Sequence, residues 1–311
     1  MPMEPAMSVK FLVPIAFALS GCAVLPPPIQ TPEPLPPAEE VQPEQWAATC
    51  EPWDDWDKPA PPYRIFGSTY YVGTCGISAI LIAGDDGHIL IDSGTEEGAE
   101  VVMDNIQKLG FRLNEIASIL HSHEHFDHVG GLAKLRAATG AHIVSSAEAA
   151  KVLSTGEDHP EDPQFGVHEP MEPVQVDVIV EDGDTVRTET ATVTAHATPG
   201  HSPGALSWTW VSCSLPGEPP ACSRIAYVDS LSAVSSDDYR FTDHPEVVAA
   251  FRTSIDKVRS LPCDILLTPH PSSSQLIERL RTGTLGAPGK CATYAAQLGD
   301  KLDERLAKEN P

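Results

Sequence analysis

Beyond residue 70 the hydrophobic and polar positions fall into short, regular segments. Residues 70–72, 77–83 and 88–91 are runs of branched and aromatic residues that predict strands, and Gly84-Asp85-Asp86-Gly87 reads as the turn between the last two. Over 96–109, Val101, Val102, Ile106 and Leu109 recur at helical spacing, and Gly110 ends the run. The same reading predicts a strand at 116–120, a helix at 131–139 stopped by Gly140, a strand at 142–145 and a helix at 147–153. Residues 156–172 are rich in Pro, Gly and acid and predict a long surface loop, of the kind that often forms a lid. Strands at 176–180, 185–197, 205–211 and 224–229 then predict a meander. A helix at 245–260, a strand at 264–267 and terminal helices from about 275 complete the chain. Strands followed by helices, twice over, predict an α+β architecture: two mixed sheets face to face with helices outside, an αββα sandwich.

The first 45 residues follow none of these periods. Met7 to Lys10 gives a positive start, and an apolar run over 11–19 is too short to span a bilayer and is broken by Pro14. Residues 1–22 therefore read as a signal peptide. It ends in Leu19-Ser20-Gly21-Cys22, which resembles the lipobox of bacterial lipoproteins, so Cys22 is expected to carry a lipid anchor and the protein to lie in the periplasm, tied to a membrane. Residues 23–45, rich in Pro and Glu, predict an extended, solvated tether. The folded domain is expected over 46–311.

Composition narrows the function classes. A chain of 311 residues can bury a sizeable core, and a formal charge of −24 disfavours nucleic acid and anionic lipid surfaces. Without Cys22 six cysteines remain, an even number that in an exported protein reads as a disulfide framework, although six allow many pairings. Local spacing suggests Cys213–Cys222; chain order then suggests Cys50–Cys75 and Cys263–Cys291. None has the close-set spacing of a thiolate zinc site.

The stretch Leu120-His121-Ser122-His123-Glu124-His125-Phe126-Asp127-His128-Val129-Gly130-Gly131 carries the chemistry. It follows an apolar strand and precedes a helix opened by glycine, the place where open α/β sheets put ligands. His123 and His125, two apart on extended chain, project to one side and can hold one ion. The chain then turns, and Asp127 and His128 face a second position. Imidazole suits zinc, and carboxylate is a harder donor that zinc also accepts. Two further histidines sit in rigid Pro- and Gly-bound loops after apolar strands: His201 in Thr198-Pro199-Gly200-His201-Ser202-Pro203-Gly204, and His270 in Leu266-Leu267-Thr268-Pro269-His270-Pro271. His121 is expected not to be a ligand. His88, His142, His159, His168, His196 and His244 lack such company and read as structural.

The run from His123 to His128 is the H-x-H-x-D-H pattern, and here the sequence resembles the metallo-β-lactamase superfamily. It looks most like the third subclass of metallo-β-lactamases (B3), over nearly all of the mature domain. The resemblance also rests on the stretches from Tyr71 to Leu81 and Gly87 to Gly94, on TPGHSPG around His201, on Tyr227-Val228-Asp229-Ser230-Leu231-Ser232-Ala233, and on LLTPHP around His270. It implies the αββα fold with two zinc ions, the first held by His123, His125 and His201 and the second by Asp127, His128 and His270. It implies that Ser230 and Ser232 line the substrate-carboxylate side, and that Gln164 reaches the substrate. Disulfides in the order suggested above also occur in that subclass.

The implied reaction is zinc-dependent hydrolysis of the β-lactam amide of penicillins, cephalosporins and carbapenems, which would confer antibiotic resistance. A water activated in the metal site attacks the strained carbonyl, Asp127 orients it, and no covalent enzyme intermediate is needed. A monomer is expected. The competing expectations are another hydrolase of the superfamily, such as a lactonase or thioester hydrolase with Asp229 between the metals, and a metal-binding lipoprotein without catalysis.

Overall fold

The computed structural model describes residues 41–168, 170–287 and 289–310; the leader, Cys22 and most of the tether lie outside the described residues. The body starts earlier than Trp46. The Val41 N–H donates to the Pro62 carbonyl at 3.0 Å, and helix α1 (Pro43–Thr49) opens with proline at a position whose N–H has no intrahelical partner to lose. Trp46 on that helix is fully buried against Tyr63 and Tyr71, which draws residues 41–45 out of the tether and into the fold.

Seven strands form the first sheet in chain order: β1 (Tyr63–Phe66), β2 (Thr69–Tyr71), β3 (Ile80–Ile82), β4 (His88–Ile91), β5 (Ile116–Leu120), β6 (His142–Ser145) and β7 (Val178–Ile179). The first four run antiparallel to their neighbours and β4 to β7 run parallel. The parallel crossovers use α2 (Gly98–Lys108), the short α3 (Phe126–Val129) with α4 (Leu132–Thr139), and α5 (Ala147–Thr155). The second sheet is β8 (Thr185–Arg187), β9 (Thr192–Ala197), β10 (Leu206–Cys213), β11 (Cys222–Tyr227) and β12 (Ile265–Leu267), ordered β12-β11-β10-β9-β8. Helix α6 (Pro245–Ser260) crosses from β11 to the parallel β12, and α7 (Leu276–Arg281) and α8 (Lys290–Glu309) follow.

Strict alternation builds the four layers. Ile80, Ile82, Ile89, Ile91 and Leu120 meet Trp208, Ile225, Tyr227, Ile265 and Leu267 in the core between the sheets. Their sequence neighbours Leu81, Leu90 and Ile119 face outward onto Val102, Ile106, Leu132 and Leu135 of the first helical layer. Ala226, Val228 and Leu266 likewise face Phe251, Ile255, Tyr294 and Leu298 of the second. The central strands are buried on both faces, as a helix-covered mixed sheet requires.

The sequence expectation for 176–180 needs correcting: that strand pairs with β6 and closes the first sheet, so it does not open the second-half meander. The predicted strand at 185–197 is a hairpin, since the chain turns between β8 and β9. One strand lies outside the prediction, β1, held by the core aromatics; β10 runs two residues past its predicted end, to the Cys213–Cys222 disulfide. All three expected disulfides form, with Cα separations of 5.3 Å (Cys50–Cys75), 4.0 Å (Cys213–Cys222) and 5.9 Å (Cys263–Cys291). No helix of the described residues is long and apolar enough to cross a membrane.

Candidate metal centre and active site

The motif leaves β5 at Leu120 and turns into α3, so His123, His125, Asp127 and His128 stand at the C-terminal edge of the first sheet. His201 arrives on the loop between β9 and β10, and His270 on the loop after β12. Gly200 makes the close approach possible: it has φ +147°, and a Cβ there would stand 2.8 Å from the Phe251 ring.

The histidines form two groups. In one, the ring centroids of His123, His125 and His201 lie 4.7–4.9 Å apart, and one nitrogen of each lies within a metal-sized cluster. In the other, the Asp127 carboxylate oxygen lies 3.0 Å from His128 Nε2 and 3.3 Å from His270 Nε2, and those two nitrogens are 3.3 Å apart. Ligands about 2.0–2.1 Å from a tetrahedral zinc are separated by roughly 3.3 Å, so this triangle has the edge lengths of one face of such a site. His123 also joins Asp127 and His128 in a second close cluster, which places the two groups side by side.

Four of the five histidines have an oxygen acceptor near their second nitrogen. His123 Nδ1 lies 2.8 Å from Asp229 Oδ1, and His125 Nε2 lies 2.9 Å from Asp162 Oδ2. His201 Nδ1–H donates to the Ser232 carbonyl at 2.9 Å, and His128 Nδ1 stands 3.6 Å from Asp92 Oδ2. The hydrogen bonds at His125 and His201 orient those rings with the opposite nitrogen toward the cluster, while His123 and His128 have a carboxylate close beside their outer nitrogen. His123 Nε2 is buried with no hydrogen-bond partner among the described residues, the signature of a ligand atom awaiting a cation.

Electrostatics point the same way. Burial, together with neighbouring histidines, holds His123 far below the usual imidazole range and His201 at about 3, so both present neutral rings. Burial would also lower His128, but the Asp127 and Asp92 carboxylates outweigh it and raise that ring to about 10. Burial would raise Asp127, yet His128 and His270 hold it well below the ordinary carboxylate value. Positive charge is what this carboxylate is built to meet.

The supporting shell was less visible in the sequence. Asp92, at φ +65°, accepts the Ser122 N–H at 2.6 Å, the Ser122 hydroxyl at 2.8 Å and the Tyr227 hydroxyl at 2.6 Å, tying β4, the metal loop and β11 together. Glu124, between two candidate ligands, turns away and accepts the Ser202 hydroxyl and the Gly204 N–H, each at 2.7 Å. It thereby clamps the His201 loop from inside the motif. Ser78 does the same for the His270 loop, donating to the carbonyls of Thr268 (2.8 Å) and Pro269 (2.7 Å). Of these residues only Glu124 sits inside the recognisable pattern. The others betray themselves in sequence only through the Gly87 to Gly94 stretch and its counterparts.

The six candidate ligands, Ser232 and Gln164 come together at this centre. Ser230 is buried, its hydroxyl has no hydrogen-bond partner among the described residues, and its carbonyl lies 3.4 Å from the Tyr294 hydroxyl. Ser232 places both its carbonyl and its hydroxyl (3.3 Å) at His201. Gln164 Nε2 lies 3.4 Å from His125 Nδ1. His121 is not part of the cluster; it is buried and pairs with the Ser145 hydroxyl at 2.8 Å. His168, expected to be structural, packs its ring 4.8 Å from Phe126 and 6.0 Å from His125. Asp229 stands behind His123, on the side away from Nε2.

A family model described as the metallo-beta-lactamase superfamily matches residues 72–214. Among solved structures, MIM-2 metallo-beta-lactamase is 48% identical with a TM-score of 0.82, the match covering 86% of this chain and 98% of that one. MIM-1 from Novosphingobium pentaromativorans is 47% identical with a TM-score of 0.81, over 85% of this chain and 97% of that one. MEM-A1, a subclass B3 metallo-beta-lactamase from a soil metagenome, is 40% identical with a TM-score of 0.78, over 82% and 99%. This chain belongs to subclass B3 of the metallo-β-lactamases. The donor set agrees with a metal-binding hydrolase of that subclass. A hydroxyacylglutathione hydrolase of Methylobacterium nodulans is 33% identical over 103 residues, and the match spans about a third of that protein, 31% of its length. That likeness is confined to a segment, whereas the subclass B3 likeness runs over the whole catalytic body.

Proposed function

We propose that the protein hydrolyses the amide bond of β-lactams, with zinc ions at both triads: His123, His125 and His201 for one, Asp127, His128 and His270 for the other. The observation that carries the reading is the place of Asp229. It lies 2.8 Å from the outer nitrogen of His123, so its carboxylate serves a ligand and does not stand between the two groups, where a lactonase-like or thioesterase-like arrangement would need it.

Two bound zinc ions would supply Lewis acidity toward a carbonyl and bring a water's pKa towards neutrality. The chain's own residues do the rest. Asp127, held ionised by His128 and His270, can orient a water and take up its proton. Ser230 offers a buried, unpaired hydroxyl to the substrate carboxylate, with Ser232 alongside, and Gln164 closes the His125 side. Trp56, Phe126 and His168 wall the mouth. The strained four-membered lactam needs no enzyme-bound acyl group, so neither serine is a nucleophile. The leader and Cys22 support a periplasmic, membrane-tethered location, where cell-wall antibiotics would be intercepted, and we propose that resistance is the physiological role; we further propose a monomer.

The test follows ultraviolet loss of a carbapenem, with penicillin and cephalosporin alongside, using the purified, disulfide-bonded protein with zinc and with a chelator. Turnover abolished by chelation and by His201→Ala supports the reading. A zinc-loaded protein that opens none of the three, but cleaves thioesters or lactones, overturns it.

A further inference from the structure

Helix α7 carries a charge that the fold leaves without a counter-charge. Arg279 is only 5% exposed, and no carboxylate among the described residues acts on its guanidinium. Arginine is almost never buried this far unless it is paired, because an isolated charge in the interior is costly. Burial brings the group down only to about 10, so it stays cationic at neutral pH. Its Nη1 and Nη2 donate to the carbonyls of Ser274 at 3.3 Å and Leu285 at 3.1 Å. Those oxygens are dipoles and do not cancel the charge. Its Nε is buried with no hydrogen-bond partner among the described residues.

Two more orphaned donors lie in the same part of the core. The Tyr63 hydroxyl on β1 and the Trp46 Nε1–H on α1 have no partner among the described residues, although both side chains are fully buried. The two rings pack 5.5 Å apart, and the Tyr63 hydroxyl lies in the field of the Arg279 guanidinium. Helix α1 is pinned to α7 by Arg281, which donates to the Ala47 carbonyl at 2.7 Å. Three elements thus bring one unanswered donor each to the surroundings of one uncompensated positive charge. Each buried donor calls for an acceptor that the chain does not supply. A water molecule answers poorly. Indole and guanidinium offer no lone pair, which leaves a water's own hydrogens only the Tyr63 oxygen to meet. An anion accepts from all three donors and neutralises the guanidinium as well. Planar oxyanions grip arginine through two parallel N–H groups, and here both Nη atoms are engaged on carbonyls. A single spherical ion, met by one donor from each side chain, suits the arrangement better.

We propose that Arg279, Tyr63 and Trp46 bind a buried chloride ion between α1, β1 and α7. The ion is structural. It joins α1 to the segment after His270, because Ser274, whose carbonyl Arg279 holds, also accepts the Thr268 hydroxyl at 2.9 Å. Bromide replaces chloride at such a site and scatters anomalously. Crystals of the zinc-loaded, disulfide-bonded protein grown in sodium bromide should show an anomalous peak beside Arg279 Nε. In solution, unfolding in sodium chloride is compared with unfolding in sodium gluconate at equal ionic strength. A site of roughly 10 mM affinity raises the folding equilibrium constant about 10-fold at about 100 mM chloride. That gain is expected in wild type and should vanish in Arg279→Met. Should Arg279→Met fail to fold, Tyr63→Phe removes one donor and keeps the ring, and should weaken the chloride affinity roughly 3–10-fold. Density beside Arg279 with no anomalous signal, which is water, would overturn the proposal. So would equal stability of wild type in the two salts, or a chloride gain undiminished in Tyr63→Phe.

Discussion

Replacing Asp229 separates the two arrangements open to this family of sites. The carboxylate is fully buried and lies 2.8 Å from His123 Nδ1, while Nε2 of the same ring faces the cluster. Burial raises Asp229 to about 8, and the charge of a bound zinc would draw it back to the carboxylate that orients His123; in Asp229→Ala that support is lost, at about 1–3 kcal/mol. Removing a carboxylate that orients a metal-bound histidine typically weakens metal binding about 10–100-fold, the same range in different units. The loss should fall on one zinc equivalent, since Asp127, His128 and His270 do not depend on Asp229. Asp229→Asn keeps an oxygen that can accept the same hydrogen, so its effect should be smaller, about 10-fold or less. The assay is titration against a chromophoric chelator of known affinity, with total zinc measured after dialysis and circular dichroism confirming the fold. Two equivalents retained at wild-type affinity in Asp229→Ala would refute the supporting role. Simultaneous loss of both equivalents would refute it in the other direction, by showing a carboxylate shared between the metals.

Glu124→Ala should release the Ser202 and Gly204 clamps and lower turnover at least about 10-fold with the His201 side chain intact, whereas Glu124→Gln keeps one acceptor and should lose less; steady-state kinetics decide this. In zinc-free protein, burial holds His121 at about 4 against about 6.5 when unfolded, so the unfolded chain takes up that proton first. Stability from this group is therefore complete above pH 6.5 and falls as the pH drops towards 4, by about 3 kcal/mol across the window. Urea unfolding of chelator-treated protein should show the fall, and His121→Asn should remove one proton's worth of it; an identical slope in the variant contradicts the assignment. Replacing Cys263 and Cys291 with alanine opens a link of 28 residues between β12 and α8, and thermal unfolding should report a loss of about 2–4 kcal/mol.

Periodicity along the chain was enough for the architecture, because burial on both faces of Leu81-Ile82, Ile89-Leu90-Ile91 and Ile225-Ala226-Tyr227 forces apolar residues into short unbroken runs that only a helix-covered double sheet can satisfy. The six candidate metal ligands were legible for a related reason. A dense His/Asp pattern, and lone histidines locked by proline and glycine, are costly to keep without a ligand. What the sequence could not display was any contact between residues far apart in the chain. Asp229 beside His123, Asp162 beside His125 and Glu124 beneath Ser202 are ordinary acidic residues until β11, the long loop and the β9–β10 loop converge. The same holds for His168, which follows the exposed apolar residues Phe165 and Val167 and packs on Phe126 only in the folded chain. Strand 176–180 shows the limit most simply. Its residues specify extended chain, but both sheets have an edge to offer, and the crossover through α5 and the long loop delivers it beside β6. Local pattern determines element and chemistry; the path of the chain in space determines which element is whose neighbour, and therefore which carboxylate holds which histidine.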